Sequence, residues 1–214
     1  MKKFLSVLLM VVFLFPILSF GESFHFSFRN GVEFGDSIAD VKTKEDKMPD
    51  REDSGFLYYG SIQLSSIGHS ALNYNFTDGE LSLILIDYNQ NYGGREEAGS
   101  RQEEYSKINE GLIRKYGEPS ASDEENADEI PTGAFYWYKN YYESKSHIEK
   151  ALDSVNQWVL EDQGYNVVIQ HVLFEVDSSD WGLPHYYVHF LSYQKVEMDD
   201  NRTDEINSIV DNDL

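Results

Sequence analysis

Phe24, Phe26 and Phe28 alternate with polar residues, which is the period of an extended segment. Asn30-Gly31 then signals a turn. Ser37 followed three residues later by Asp40 reads as a capping-box helix start, with Asp36 adding negative charge at the same end. Few apolar positions follow, chiefly Ile38 and Val41, so the spacing predicts a helix that buries a narrow stripe and runs to about Lys47. Met48-Pro49 closes it. Residues 56–88 predict a three-stranded meander. Phe56–Leu64 is the first strand. Ala71–Thr77 is the second, with Leu72, Tyr74 and Phe76 on one side and Asn73, Asn75 and Thr77 on the other. Asp78-Gly79 is a two-residue hairpin turn. Leu81–Tyr88 is the third strand, and its near-continuous apolar run predicts burial on both faces.

A second helix is expected from about Arg95 to Tyr116, because Tyr105, Ile108, Leu112 and Ile113 recur at i, i+3, i+7 and i+8. Gly117 is placed to close it and Pro119 prevents its continuation. Residues 120–131 are acidic and lack apolar periodicity, as in a solvated loop. Ala134–Tyr142 is an aromatic strand, and Glu143–Asp153 is a short helix or an insertion. Gln157–Glu161, Val167–Val176 and His185–Val196 are three further strands, punctuated by Gly164 and by residues 177–184. The order is helix, three strands, helix, more strands. That order predicts an α+β domain with two helices packed on one face of an antiparallel β-sheet, the other face being left to solvent or a partner.

The N-terminus changes the picture. Lys2 and Lys3 precede an apolar run from Phe4 to Leu18, and Ser19 and Gly21 supply small residues at the third-last and last positions of a cleavage site. This is the pattern of a secretory signal peptide over residues 1–21. The run is shorter than the roughly 20 apolar residues that span a membrane, so no stable membrane anchor is expected after cleavage. The expected organisation is residues 1–21 as signal, 22–196 as a single α+β domain, and 197–214 as an acidic tail that frays. The expected location is secreted or periplasmic.

Composition narrows the partners. The formal charge is −21, from 38 acidic and 17 basic residues. Such a surface disfavours nucleic acid, whose phosphates are met by Lys and Arg, and anionic lipid for the same reason. The chain has no cysteine. That excludes disulfides, thiolate metal sites and acylation at a lipoprotein cysteine, and leaves the apolar core to hold an exported domain. Fifteen Tyr, thirteen Phe and three Trp fit a tyrosine-rich sheet, and tyrosine is also an effective contact residue.

Three motifs in order carry a family resemblance. Gly31-Val32-Glu33-Phe34-Gly35-Asp36-Ser37 with Ala39-Asp40-Val41 resembles a "G-x-x-x-G-x-S-x-x-x-V" helix start. Tyr74-Asn75-Phe76-Thr77-Asp78-Gly79-Glu80-Leu81 resembles a "Y-x-F-x-D-G-x-L" hairpin. Leu112-Ile113-Arg114-Lys115-Tyr116-Gly117-Glu118-Pro119 resembles an "L-x-x-K-Y-G-x-P" helix end. Together they resemble the beta-lactamase inhibitor protein-like superfamily, whose fold is shared by small outer-membrane assembly lipoproteins. The likeness covers residues 28–119 and weakens after 134. It implies two helices against a curved antiparallel sheet, and binding of proteins, often through the exposed sheet face. It brings no catalytic residues. The chain departs from the lipoprotein branch in lacking the acylated cysteine, and from the tandem inhibitors in lacking a second helix-start motif, so beta-lactamase inhibition does not follow.

Candidate chemistry is sparse. His185 and His189 lie four apart, but on a strand that spacing separates them by about 13 Å, too far for one zinc at ligand lengths of about 2 Å. A His171–His189 pair across a hairpin is the remaining metal candidate, set against ordinary surface imidazoles. Asp199–Asp211 has no central glycine and Asp177–Gly182 no completing glutamate, so neither matches a calcium-binding EF-hand loop; weak surface calcium binding by the acidic loops is the remaining calcium reading, set against plain solvated loops. Ser54-Gly55, Gly60-Ser61 and Gly99-Ser100 do not match a nucleophile elbow, and no phosphate loop is present. Asn75-Phe76-Thr77 and Asn201-Arg202-Thr203 fit a glycosylation sequon without further support. No catalytic residue, metal or cofactor is therefore assigned.

The function expected is a secreted, non-catalytic protein-binding module that uses an exposed aromatic sheet face. The alternatives are an exported hydrolase of unknown type and a structural cell-envelope component. On the aromatic strand, Phe135, Trp137 and Tyr141 share one side, and Tyr136, Tyr138 and Tyr142 the other. The tyrosines are the expected binding residues, since their hydroxyls tolerate water.

Overall fold

The computed structural model describes residues 24–64, 69–88, 98–122, 154–176 and 186–198. Within them an open eight-stranded antiparallel sheet has the strand order β1-β2-β3-β4-β8-β7-β6-β5. The strands are β1 (Arg51–Glu52), β2 (Phe56–Gln63), β3 (His69–Thr77), β4 (Glu80–Asp87), β5 (Ala121–Ser122), β6 (Ser154–Asp162), β7 (Tyr165–Val176) and β8 (Tyr186–Glu197). Two α-helices, α1 (Ile38–Lys44) and α2 (Ala98–Tyr116), complete an α+β architecture, with one turn of 3-10 helix at Arg29–Gly31. The expected meander is β2-β3-β4. A second meander, β6-β7-β8, joins it where β8 pairs along β4.

Both tight hairpins have the same backbone logic. Asp78 and Gly79 have φ of 54° and 86°, and Gln163 and Gly164 have 45° and 91°. Positive φ at both central residues is the type I′ geometry that matches strand twist. A Cβ on Gly79 would meet nothing within 4 Å, so the demand for glycine is conformational, not steric. Gly79→Val should therefore lower stability by about 1 kcal/mol or more. An unchanged midpoint in chemical denaturation would remove the turn from the determinants of the fold.

The α1 start is as expected. Ser37 accepts from the Asp40 N–H, and the Asp40 carboxylate accepts from the Ser37 N–H at 3.1 Å. The helix ends at Lys44, three residues before the expected Lys47, because Glu45 turns to an extended conformation (φ −82°, ψ 137°). That turn carries the Glu45 carboxylate into the interior. At the far end of α2, Gly117 has φ 84°, and its N–H donates to the Ile113 carbonyl at 2.8 Å. Its own carbonyl accepts from the Trp158 indole at 2.8 Å, which fastens the helix end to β6.

Alternation and register define two faces. One carries Leu57, Tyr59, Leu72, Tyr74, Ile84, Ile86, Leu191, Tyr193, Ile169 and Trp158, all buried in one cluster with Phe26, Val32, Val41, Ile108 and Leu112. The extended lead-in lies along this core. Phe26 stacks on Phe34 at 4.6 Å and tilts against Tyr193, and its N–H donates to the buried Asp162 carboxylate at 2.8 Å. Burial on β4 is one-sided: Leu81, Ile84 and Ile86 are buried, while Leu83 and Leu85 are half-buried. The expected two-face burial occurs further along. Val155, Val168, Gln170, Val172, Val188, Phe190 and Ser192 belong to the second face and are buried, because β7 and β8 carry apolar residues on both sides. The second face is thus not left wholly to solvent. Two boundaries also move. Ala121–Ser122, expected as loop, pairs with β6, and Glu197, expected in the tail, is the last residue of β8, opposite Tyr165.

Candidate functional site

The expected contact tyrosines Tyr136, Tyr138 and Tyr142, and with them Phe135, Trp137 and Tyr141, lie outside the described residues. So do the signal segment, His185, and both acidic stretches considered for calcium. Among the described residues, three arrangements of side chains have chemical content.

The first is a buried histidine pair. β7 and β8 place His171 beside His189 with their Nε2 atoms 3.1 Å apart, within reach for one ring to donate to the other. The pairing across the hairpin is as expected, but these are not surface imidazoles: both are fully buried. Tyr105 of α2 stacks on His171 at 4.0 Å and its hydroxyl donates to the His171 carbonyl at 3.2 Å. That hydroxyl accepts in turn from Asn156 at 2.8 Å. The Tyr88 ring lies 4.6 Å from His189, and the Glu104 carboxylate lies 3.7 Å from His189 Nδ1. Burial holds the His171 pKa well below its ordinary value, and the neighbouring His189 adds to the effect. Two Nε2 atoms at this spacing are able to share an ion at ligand lengths of about 2.0–2.1 Å. Yet among the described residues no group of three or more His, Asp or Glu could hold a metal.

The second is an ionic knot under α1. Glu45 has no side-chain exposure and lies 3.4 Å from the Arg29 guanidinium. The Tyr74 hydroxyl donates to its other oxygen. Burial and then this hydrogen bond push the Tyr74 pKa upward. Burial, with the Glu45 charge adding to it, raises Tyr59 to about 12. Among the described residues, Arg29 Nη1, Glu45 Oε2 and the Tyr59 hydroxyl are buried without a hydrogen-bond partner.

The third is a groove of about 740 Å³ between α2 and the core face of the sheet. Ile86, Tyr88, Leu191 and Tyr193 floor it, Phe28 and Leu64 close one side, and Lys107, Ile108, Gly111 and Arg114 of α2 form the other. Arg29 and Glu110 complete the rim. Gly111 is unusual. It stands inside the 19-residue helix α2, where glycine costs about 1 kcal/mol relative to alanine. A Cβ there would meet nothing closer than Arg114 Nη2 at 3.9 Å, so no neighbouring atom requires glycine. The groove draws on five separate segments of chain, which is why sequence reading missed it; a glycine inside a helix with no turn role was the available signal.

The chain matches no family model, and no curated protein or solved structure is detectably similar to it. No described helix is long and apolar enough to cross a membrane.

Proposed function

We propose that the protein is an exported, non-catalytic binding module whose second sheet face receives a partner protein, and whose fold resembles the beta-lactamase inhibitor protein-like superfamily. In this reading a curved sheet carries both helices on its core face. Supporting that, Val41 of α1 and Ile108 and Leu112 of α2 share one cluster with Leu72, Tyr74 and Ile84. The observation that carries the reading is a row across the second face. Phe56, Asn75, Leu83, Gln194, Val168 and Val159 stand opposite one another in register across six strands. It ends on Val159, 42% exposed. A depression of about 820 Å³ overlies its middle, at Asn75, Leu83 and Gln194. Val168 is buried, and the apolar side chains and amides left around it suit a contact surface better than a reaction pocket. The tyrosines Tyr136, Tyr138 and Tyr142 are proposed as its aromatic complement, and residues 1–21 as the signal that delivers the chain.

N-terminal sequencing of the exported protein should begin near Glu22, and affinity capture from the exported fraction should recover a protein partner. Val159→Glu and Tyr138→Ala should each weaken that capture by more than about 1 kcal/mol, the scale of a hot spot. Folded variants that both retain full affinity would exclude this face.

A further inference from the structure

We propose that the groove beside α2 binds a small amphiphilic anion, a molecule with a hydrocarbon tail and a carboxylate or comparable head. The groove opens on the core side of the sheet, so the proposal does not rest on the partner face described above. Its floor is apolar and aromatic, with Tyr88, Leu191 and Tyr193 as its centre. Its volume of about 740 Å³ lies within the usual range for small-molecule sites, roughly 300–1,000 Å³.

The rim selects the head. The chain as a whole carries a charge of −21 with only 17 basic residues. Three of those, Arg29, Lys107 and Arg114, meet around this one opening, against the single carboxylate of Glu110. Arg114 and Glu110 are held 3.8 Å apart on the exposed helix surface, where such a pair contributes little. Lys107 is paired with Glu103, outside the groove, at 2.6 Å. Arg29 spends Nη2 on Glu45, but its Nη1 is buried without a hydrogen-bond partner. Nη1 is closed to the groove, so the head of an anion would be met by Lys107 and Arg114, whose side chains are 61% and 71% exposed. A cationic amphiphile would meet the same rim unfavourably, and an uncharged one would gain nothing from Lys107 and Arg114.

Gly111 is the independent observation. The helix tolerates glycine where a side chain would fit without a clash. A side chain at 111 would project into the groove and take the space of a ligand. Among the described residues no packing contact calls for glycine here, whereas a bound ligand would.

The test is calorimetric titration of the full chain with decanoate, decanol and decyltrimethylammonium, each below its micelle-forming concentration. Decanoate should saturate a single site, with the other two at least about tenfold weaker, a factor of ten in the equilibrium constant. Gly111→Leu, a favourable helix substitution, should abolish decanoate binding while circular dichroism reports an unchanged fold. The double variant Lys107→Gln, Arg114→Gln changes only exposed rim positions and should weaken decanoate about tenfold while leaving decanol unaffected. Absence of saturable decanoate binding overturns the proposal. Equal binding of the cationic analogue, or full decanoate affinity in folded Gly111→Leu, overturns it as well.

Discussion

Glu45→Ala should destabilise the folded chain by about 3 kcal/mol, at the lower end of the range for breaking a buried ion pair. The carboxylate has no exposure, whereas its partner Arg29 keeps 26% of its side-chain surface in water, and that residual hydration sets the lower end. Truncation leaves two groups unsatisfied. The Tyr74 hydroxyl loses its acceptor inside the core, and the Arg29 charge loses its counter-ion beside the buried Tyr59 hydroxyl. Tyr74→Phe removes one hydrogen bond to a charged group, and should cost only about 1.5–3 kcal/mol. The double variant Glu45→Ala, Arg29→Met should be more stable than the sum of its two single changes, since the uncompensated charge is gone. Urea denaturation of the parent, the three single variants and the double variant measures all of this. A Glu45→Ala midpoint equal to that of the parent would show that the knot does not support the fold.

Local signals carried most of the architecture. Asp78-Gly79, the Ser37–Asp40 capping box and Gly117 with Pro119 each act within a few residues, and each stands where local chemistry placed it. Strand existence was equally legible, because alternation in β3 and the long apolar runs in β7 and β8 depend only on neighbouring positions. What could not be read was long-range. Nothing near Leu83 or Gln194 announces that β8 pairs along β4. Nothing in the acidic run Glu45-Asp46 marks one carboxylate as buried. Its destination is set by Tyr74 and Arg29, which are distant in sequence. Asp162 is similar: it looks like a turn residue, yet it is buried and accepts from the Phe26 N–H and, at 2.9 Å, from the Tyr165 hydroxyl. The histidine pair was half legible. Hairpin register brought His171 and His189 together, but only α2, with Tyr105 and Glu104, closes over them. Residues 134–142, on which the expected contact tyrosines fall, lie outside the described residues.

Acidification from pH 7 to pH 5 should weaken the fold through His171. Its pKa in the folded chain is well below the ordinary value because the ring is buried against Tyr105 and His189. In the unfolded chain it titrates near about 6.5. Below that value the unfolded state binds a proton that the folded state refuses. Stability from the neutral, buried ring is therefore complete above about pH 6.5 and declines as pH falls toward the folded pKa. The limiting slope is about 1.4 kcal/mol per pH unit for one proton. His25 acts with the opposite sign in an adjoining window. Its hydrogen bond to the Asp162 carboxylate raises its pKa, so its contribution is complete below its unfolded pKa and is lost as pH rises through the folded one. His25 is 47% exposed, and solvent screens that contribution. The two are separated by measuring denaturation midpoints from pH 5 to pH 8 in the parent, His25→Asn and His171→Gln. The acid loss should persist in His25→Asn and flatten in His171→Gln, whose amide keeps a hydrogen bond to His189 without titrating. An unchanged acid slope in His171→Gln would assign the loss to another group.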